Sequence, residues 1–585
     1  MVVGLNPSSW PILAPRFDRK GSDPADLVIA NARILTCNVS NPRASAVAVK
    51  DGRIAFVGGI KGVSDHVGPG TVVINGKGRI LTPGFVDNHC HVLWIGGLTG
   101  LMTTELFFCE SAEEIKEIVL RQAAEHPDSL MVLAQGWKPH VLPQGVSRLE
   151  LLDSWIGDRA VALMSYMADG WVNSKMLELM EERNPAAFER LEPEKDDSGA
   201  YNGLLRQFHA FNPLDFVSIE ELGKGAKEMM FQAMGRTLDE ALSVGVTTMD
   251  DVQNYKAFIP LILEFRDRGG LDKVRARCGY YVPNTVLDDE DAFVEDLAWW
   301  KEVGESESDE HLVMGRSVKL YIDGVASNRT TLFFEPYADD PNEYGEAVWT
   351  QEGFDRVVEI VDSMDLQACT HCVGDAGINR VINTYERAYK LRPGRDQRHR
   401  ADHCSGPTRE DIERLGKLGV YAAMQPTHFF GDETVEKAYG LKRLQLFQPW
   451  RSMEKAGVEM SFGSDWCAGP INPVYGLLVA GTRMNYRFKR NWGPRERIEI
   501  EDAIRHWTLD SAKALKMEDD IGSIEVGKYG DMVLWNHNPL KLNSLWFLLT
   551  HRLELGAMED FVDMTIVGGR PVYRQEGSGE QSTLG

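Results

Sequence analysis

Asp87-Asn88-His89-Cys90-His91 closes an apolar run. Side chains alternate along a strand, so His89 and His91 face the same way at its end. Two imidazoles on one face are half of a metal site, although an HxH pair alone is a weak signal. Three further runs end on comparable residues: LQACTHCVGD carries His371, RADHCS carries His403 and EMSFGSD carries Asp465. Reading all five as unrelated solvent-facing strand ends needs five coincidences. Four imidazoles and a carboxylate suit a divalent cation, zinc first, with one or two ions per chain. A fourth run, SVKLYIDG, holds Lys319 in its interior, where a free ammonium is costly unless paired. Two states are open for Lys319: an ammonium paired with Asp323 or another carboxylate, or a carbamylated lysine whose carboxylate bridges two cations.

These residues lie hundreds of positions apart, so some architecture must bring them together. Eight short apolar runs alternate with helical patterns: ILTPGFVDNH, GVTTMDD, ARCGYYV, SVKLYIDG, LQACTHCVGD, RADHCS, YAAMQPTH and EMSFGSD. Eight βα repeats predict an α/β fold, a (β/α)8 TIM barrel whose strand ends share one mouth. Before and after it, runs such as AVAVKDGRIAFVGG and FVDMTIVGGRPVY carry Gly-punctuated strand patterns. The expected organisation is an irregular arm over 1–25, a composite β-sandwich from 26–82 and 520–575, a barrel over 83–519, and a disordered tail over 576–585. An insertion of about 100–240 after the first barrel strand is expected to carry its own helices and a strand, and to cap the mouth.

Composition narrows the function. The 585 residues include 63 Lys plus Arg and 87 Asp plus Glu, a formal charge of −24. Such a surface disfavours nucleic acid and anionic membrane as partners, and leaves a small-molecule substrate, with a homo-oligomer admitted. No run approaches the ~18 apolar residues of a membrane span. The first residues lack a basic flank followed by a long apolar run, and position 2 is Val2, so neither a secretory signal nor myristoylation is expected. Eight scattered cysteines form no disulfide framework and point to a reduced, cytoplasmic protein. Cys369-Thr-His-Cys372 has no second CxxC to complete a zinc ribbon. Cys90, Cys372 and Cys404 read as outward-packing core residues, whereas Cys467 is placed to face the pocket.

TPGFVDNHCHV, GVTTMDD, VKLYIDGVASNRT, THCVGDAGINRVI, RHRADHCS, FGSDW, WTLDSAKAL and GSIEVGKYGDMVLW follow one another in an order that resembles the amidohydrolase superfamily. The resemblance is to amidohydrolase family 3, the branch that includes N-substituted formamide deformylases, and covers about 27–575. It implies a metal-dependent barrel with a β-sandwich, and His89, His91, Lys319, His371, His403 and Asp465 as metal ligands. It makes Asp465 the catalytic proton shuttle, and Asp402 matches the acidic residue usual before the sixth-strand histidine. The chain departs from the family at Asn88, at Trp466 and Cys467, and at Ala168, where members often carry a histidine.

The ligand set implies hydrolysis of a C–N bond in an amide, formamide, lactam or related carbonyl compound. A metal ion makes water nucleophilic at neutral pH, and Asp465 moves the proton to the leaving nitrogen. Trp94, His428 and Trp466 are the substrate-contact candidates, and the two indoles suggest a substrate with an apolar or aromatic portion. Phe107, Phe108, Trp137, Trp171, Phe429 and Phe430 are further aromatics that line the mouth or pack the scaffold. Arg443 and Arg483 are candidates for a substrate carboxylate, against ordinary salt-bridged arginines. Two other functions remain open on the sequence: a metal-dependent lyase or isomerase on the same barrel, and a non-catalytic metal-binding scaffold.

Overall fold

Gly84 is the point at which the chain leaves one sheet and enters another. In the computed structural model, which describes residues 23–138, 142, 148–165, 169–206, 209–430, 433–485, 490–544 and 558–575, any Cβ at Gly84 would collide with Thr247 of the second barrel strand. Most of the expected arm, Ala168 and the tail from 576 lie outside the described residues.

Before Gly84 run β1 (Leu27–Leu35), β2 (Arg43–Lys50), β3 (Arg53–Gly58), β4 (Val72–Asn75) and β5 (Ile80–Pro83); after it comes β6 (Phe85–Cys90), the first barrel strand. The insertion holds a four-stranded sheet: β7 (Met131–Gln135), β8 (Ala160–Met164), β9 (Gly170–Val172) and β10 (Leu204–Leu205). The barrel continues with β11 (Val246–Asn254), β12 (Arg275–Tyr281), the short β13 (Leu312–Val313) on its flank, β14 (Ser317–Tyr321), β15 (Gln367–Cys372), β16 (Arg400–His403), β17 (Tyr421–Met424) and β18 (Met460–Phe462). A two-stranded ribbon, β19 (Met484–Asn485) and β20 (Arg490–Asn491), precedes β21 (Met532–Trp535), β22 (Val562–Val567) and β23 (Arg570–Arg574).

The eight barrel strands pair in parallel in the order β6-β11-β12-β14-β15-β16-β17-β18. They are the eight apolar runs of the sequence. Between β18 and β6 the ring is joined at the end of β6 and beyond the end of β18: Asp465 N donates to His89 O at 2.7 Å and His91 N donates to Trp466 O at 2.8 Å. The helices that cover the ring bury one stripe each. In Gln351–Ser363 the buried residues include Phe354, Val357, Val358 and Val361, a spacing of three and four, and Thr350 caps its start by accepting from Gly353 N.

The flanking sheet runs β23-β22-β21-β5-β1-β2-β3, with β4 also on β1. Its joint is β21 antiparallel to β5, with Met532 opposite Pro83 and Leu534 opposite Leu81. One core draws Leu27, Ile29 and Leu81 together with Met532, Leu534 and Ile566.

The insertion differs from expectation in having four strands where one was expected. Its strands MVLAQ and AVALM are rich in Ala and Met, which carry little β-propensity, so their period is weak in sequence. It reaches the barrel mouth at two places: Gln135 Oε1 lies 3.6 Å from Cys467 Sγ, and Asn328 Nδ2 donates to Ser165 Oγ at 3.0 Å and Asp169 Oδ2 at 3.1 Å. Among the described residues no helix is long and apolar enough to cross a membrane.

Candidate metal centre

Asp465, three residues past the end of β18, presents both carboxylate oxygens to imidazoles from other strand ends. His91 Nε2 lies 3.1 Å from Oδ1, and His89 Nε2 3.6 Å from the same oxygen. His428, in the 3-10 turn Pro426–Phe430 after β17, places Nε2 3.2 Å from Oδ2; His403 Nδ1 is 3.9 Å from it. Each of two groups, His89 with His91 and Asp465, and His403 with His428 and Asp465, offers ligand atoms within 4.8 Å of one another. Lys319 Nζ stands 3.2 Å from His89 Nε2 and 3.3 Å from Asp402 Oδ2. The His371 ring packs 4.3 Å from that of His403, but its Nε2 faces Gly324 O at 3.2 Å and belongs to neither group.

Strand register sets these neighbours. Tyr321 lies opposite His371, His371 opposite Asp402, and Cys372 opposite His403. Asp87 ties the first strand to the last: its Oδ1 accepts from Ser464 N at 2.9 Å and from His89 N at 3.3 Å. Asp251 Oδ2 accepts from Leu93 N at 2.6 Å and fixes the turn after His91. Beneath the mouth, Arg400 donates from Nε to Asp402 Oδ1 at 3.0 Å and from Nη1 to Asp250 Oδ2 at 2.5 Å, all fully buried.

Burial sets the protonation of the ring nitrogens. Loss of water, with the Lys319 charge adding to it, pushes His89 down to about 4 and His371 to about 3; burial also takes His403 well below its ordinary value. Burial alone would raise Asp465, yet His428 and His91, then His89 and His403, hold it well below the carboxylate range. Asp402 is likewise held low against burial, by Arg400, Lys319 and His89. Burial lowers the Lys319 ammonium against the pull of Asp402 and Asp465. Imidazoles and a carboxylate whose ligand atoms converge within 4.8 Å in each of the two groups fit a divalent cation.

A family model described as the amidohydrolase family matches residues 72–573. The chain belongs to the amidohydrolase family. It is 27% identical over 570 residues to "Protein LONG AFTER FAR-RED 3" of Arabidopsis thaliana, covering 94% of this chain and 92% of that one. It is 24% identical to the "N-substituted formamide deformylase" of Arthrobacter pascens, covering 88% and 94%. Among solved structures, an uncharacterised metal-dependent hydrolase from Pyrococcus horikoshii superposes with a TM-score of 0.66 at 21% identity, over 88% of this chain and 98% of that one.

Within this amidohydrolase the remaining sequence candidates fall in different places. His428, expected as a substrate contact, stands in the donor group around Asp465. Trp94, expected as a substrate contact, is fully buried, its ring 4.9 Å from that of Tyr255 and 5.7 Å from Phe258. It opens the short helix Trp94–Leu98. Trp466 is half-buried. Trp137 and Trp171 pack the insertion, their rings 5.6 Å apart. The side chains of Phe107, Phe108 and Phe430 lie outside the described residues, and Phe429 packs on Phe447, Trp450 and Trp492.

Both arginine candidates are structural. Arg483 donates to the carbonyls of Trp492 at 3.0 Å and Gln448 at 2.7 Å and lies over Phe429 and Trp450; burial pulls it down to about 9. Arg443 donates to Glu335 O at 2.7 Å and Pro336 O at 2.9 Å. Lys319 meets Asp402 and not Asp323, whose carboxylate accepts from the amides of Leu332, Val373 and Gly374. Burial raises the thiols of Cys90 and Cys372 well above their usual range, and that of Cys467 to about 12.

Sequence reading missed an aromatic group on three neighbouring strands. The Tyr255 and Tyr281 rings are 5.0 Å apart, Tyr281 and Tyr321 6.0 Å, and Tyr321 lies 5.0 Å from His371. The Tyr321 hydroxyl donates to Gln253 Oε1, and Gln253 Nε2 donates to the Tyr255 hydroxyl at 2.9 Å. The only sequence signal is a tyrosine at or just past the end of each of three successive barrel strands.

Proposed function

We propose that this amidohydrolase hydrolyses a non-peptide C–N bond, of an amide, formamide, lactam or related carbonyl compound, and that Asp465 carries the proton. The observation that carries this reading is the Asp465 carboxylate held between His91 and His428, at 3.1 and 3.2 Å. His89, His91, Lys319, His371, His403 and Asp465 are the residues that would hold one or two divalent ions, zinc first, with His428 beside them. When bound, such an ion acts as a Lewis acid and lowers the pKa of water toward neutrality.

The chain's own residues do the rest. Asp465, kept ionised by its imidazole neighbours, takes a proton from the attacking water and returns it to the leaving nitrogen. His91 and His428 fix the direction of each carboxylate oxygen, so little reorganisation accompanies the transfer. Asp402, clamped by Arg400, orients His89 through Nδ1 at 3.0 Å. Carbamylation of Lys319 would turn its charge from repelling a cation to binding one; at ~4 Å two unit charges interact by about 4 kcal/mol at an effective dielectric of ~20. Tyr321 stands beside His371, with Tyr281 and then Tyr255 packed in line behind it, and the group favours a substrate with an aromatic or apolar portion. A small-molecule substrate in the cytoplasm fits eight free cysteines and a charge of −24.

The test is amine release from a panel of N-acyl amines, formamides and lactams, before and after chelation and with zinc restored. Release that falls on chelation and returns with zinc is the expected result. Turnover untouched by complete metal removal, or a full panel without amine release, would overturn the reading.

A further inference from the structure

The chain carries a formal charge of −24, yet one cleft of about 570 Å³ gathers five cations. Arg409 opens the helix Arg409–Leu418, and Arg451 and Lys455 lie one turn apart on the helix Trp450–Ala456. Arg495 and Arg497 flank Glu496 in the turn that begins at Pro494. All five are exposed.

Some cations of this acidic surface find partners close to the cleft. On the same helix as Arg409, Arg414 meets Glu386 at 2.7 Å and Lys417 meets Glu413 at 3.9 Å. None of the five cations in the cleft has an ion pair or a side-chain hydrogen bond among the described residues. The one carboxylate in the lining does not serve them. Glu496 is buried, and its two oxygens accept from Ser452 N and Ser452 Oγ, each at 2.8 Å. That contact also joins the turn to the helix, so the arginines are carried on elements held against one another.

We propose that this cleft binds a small molecule bearing two or more phosphate groups. Like charges held together on rigid elements repel until an anion enters, and guanidinium forks match phosphate oxygens two at a time. The volume lies within the roughly 300–1,000 Å³ of small-ligand pockets. No residue of the cleft belongs to the metal centre, so the proposal stands apart from the hydrolase reading and its test needs no turnover.

The test is calorimetric titration of the full chain with inorganic tripolyphosphate at low salt and at about 0.15 M salt. Saturable binding with one site per chain is expected, weakened by salt. Arg451→Ala with Arg495→Ala should raise Kd at least about tenfold, the loss of two charge-assisted contacts. Lys455→Gln with Arg497→Gln is a second pair that spares the backbone of the turn, and circular dichroism checks that both pairs fold. Amine release should stay at the wild-type level in both. Arg43→Ala with Arg121→Ala, arginines that pair with Glu501 and Glu105, should leave Kd unchanged. The proposal is overturned by no saturation at millimolar tripolyphosphate, by binding that survives both pairs of substitutions, or by an oligoglutamate peptide that binds as tightly as tripolyphosphate.

Discussion

His428 Nε2 lies 3.2 Å from Asp465 Oδ2, across the carboxylate from His91, which stands 3.1 Å from Oδ1. The carboxylate is thereby held at both oxygens by rings from two different strand ends. A proton carrier fixed in this way should lose rate and not substrate affinity when one holder is removed.

His428→Ala should therefore lower kcat by ~10² or more, the scale of a lost acid–base contribution, with KM little changed. His428→Gln, which keeps a donor at similar reach, should recover part of the loss. Steady-state kinetics with metal analysis of each variant would decide it; wild-type kcat in the alanine variant would remove His428 from the proposed mechanism.

Arg400 offers a stability test. Its guanidinium lies between Asp250 and Asp402, and all three are fully buried. Arg400→Met strands two carboxylates and should cost about 3–5 kcal/mol, seen as a lower thermal midpoint. A midpoint equal to that of the wild type would mean that the carboxylates are balanced by other groups, Lys319 and Arg277 first among them.

Gly463 sits on the seam between the last strand and the first. A Cβ there would lie 2.7 Å from Asn88 Oδ1 and from His89 N, and 2.8 Å from Asp87 Oδ1. Gly463→Ala should destabilise the fold by roughly 1–3 kcal/mol and displace Asp465, two residues on, with loss of turnover. Full activity in this variant would show that the seam can part without moving the carboxylate.

Tyr281 stands between Tyr255 and Tyr321 in the aromatic group. Tyr281→Ala should raise KM for aromatic amides several-fold, since an aromatic pair contributes about 0.5–1.5 kcal/mol beyond burial, and Tyr281→Phe should not. Small aliphatic amides should be indifferent to both. An equal rise for both substrate classes would mean that the ring only supports the wall.

Acid stability should depend on Asp510. Burial works to raise this carboxyl, but His506, Arg505 and Lys513 bring it down to about 2 from an ordinary 3.8. A lowered folded-state value stabilises above the unfolded value and is lost as pH falls through the folded one, here between about 4 and 2, with a size on the order of 2 kcal/mol. His506 is raised despite burial, by Asp510 and Glu454, so its share is complete below its ordinary 6.5 and fades as pH rises beyond it. Thermal midpoints of wild type and Asp510→Asn should differ most near pH 5 and converge near pH 2. A gap independent of pH would attribute the effect to packing.

The ends of most barrel strands are legible because the apolar run stops on polar residues, and a ring of parallel strands brings those stops together. His89, His91, His403 and Asp465 meet for that reason. The partner of Lys319 was not legible, because it depends on interstrand register. Asp402 reaches Lys319 through two successive strand pairings that no local pattern announces. The tyrosine group is hidden in the same way, each member ordinary within its own strand. Arg443 and Arg483 defeat sequence reading for another reason: their donors go to main-chain carbonyls, which every residue possesses.

The pairing of β21 with β5 also orders events during synthesis. β5 is complete once residue 83 has been made, but its antiparallel neighbour begins only at residue 532. At ~5–20 residues per second the free side of β5 waits on the order of a minute on the ribosome. An uncovered strand edge is a template for other chains. The nascent protein thus spends most of its elongation time with one side of β5 uncovered.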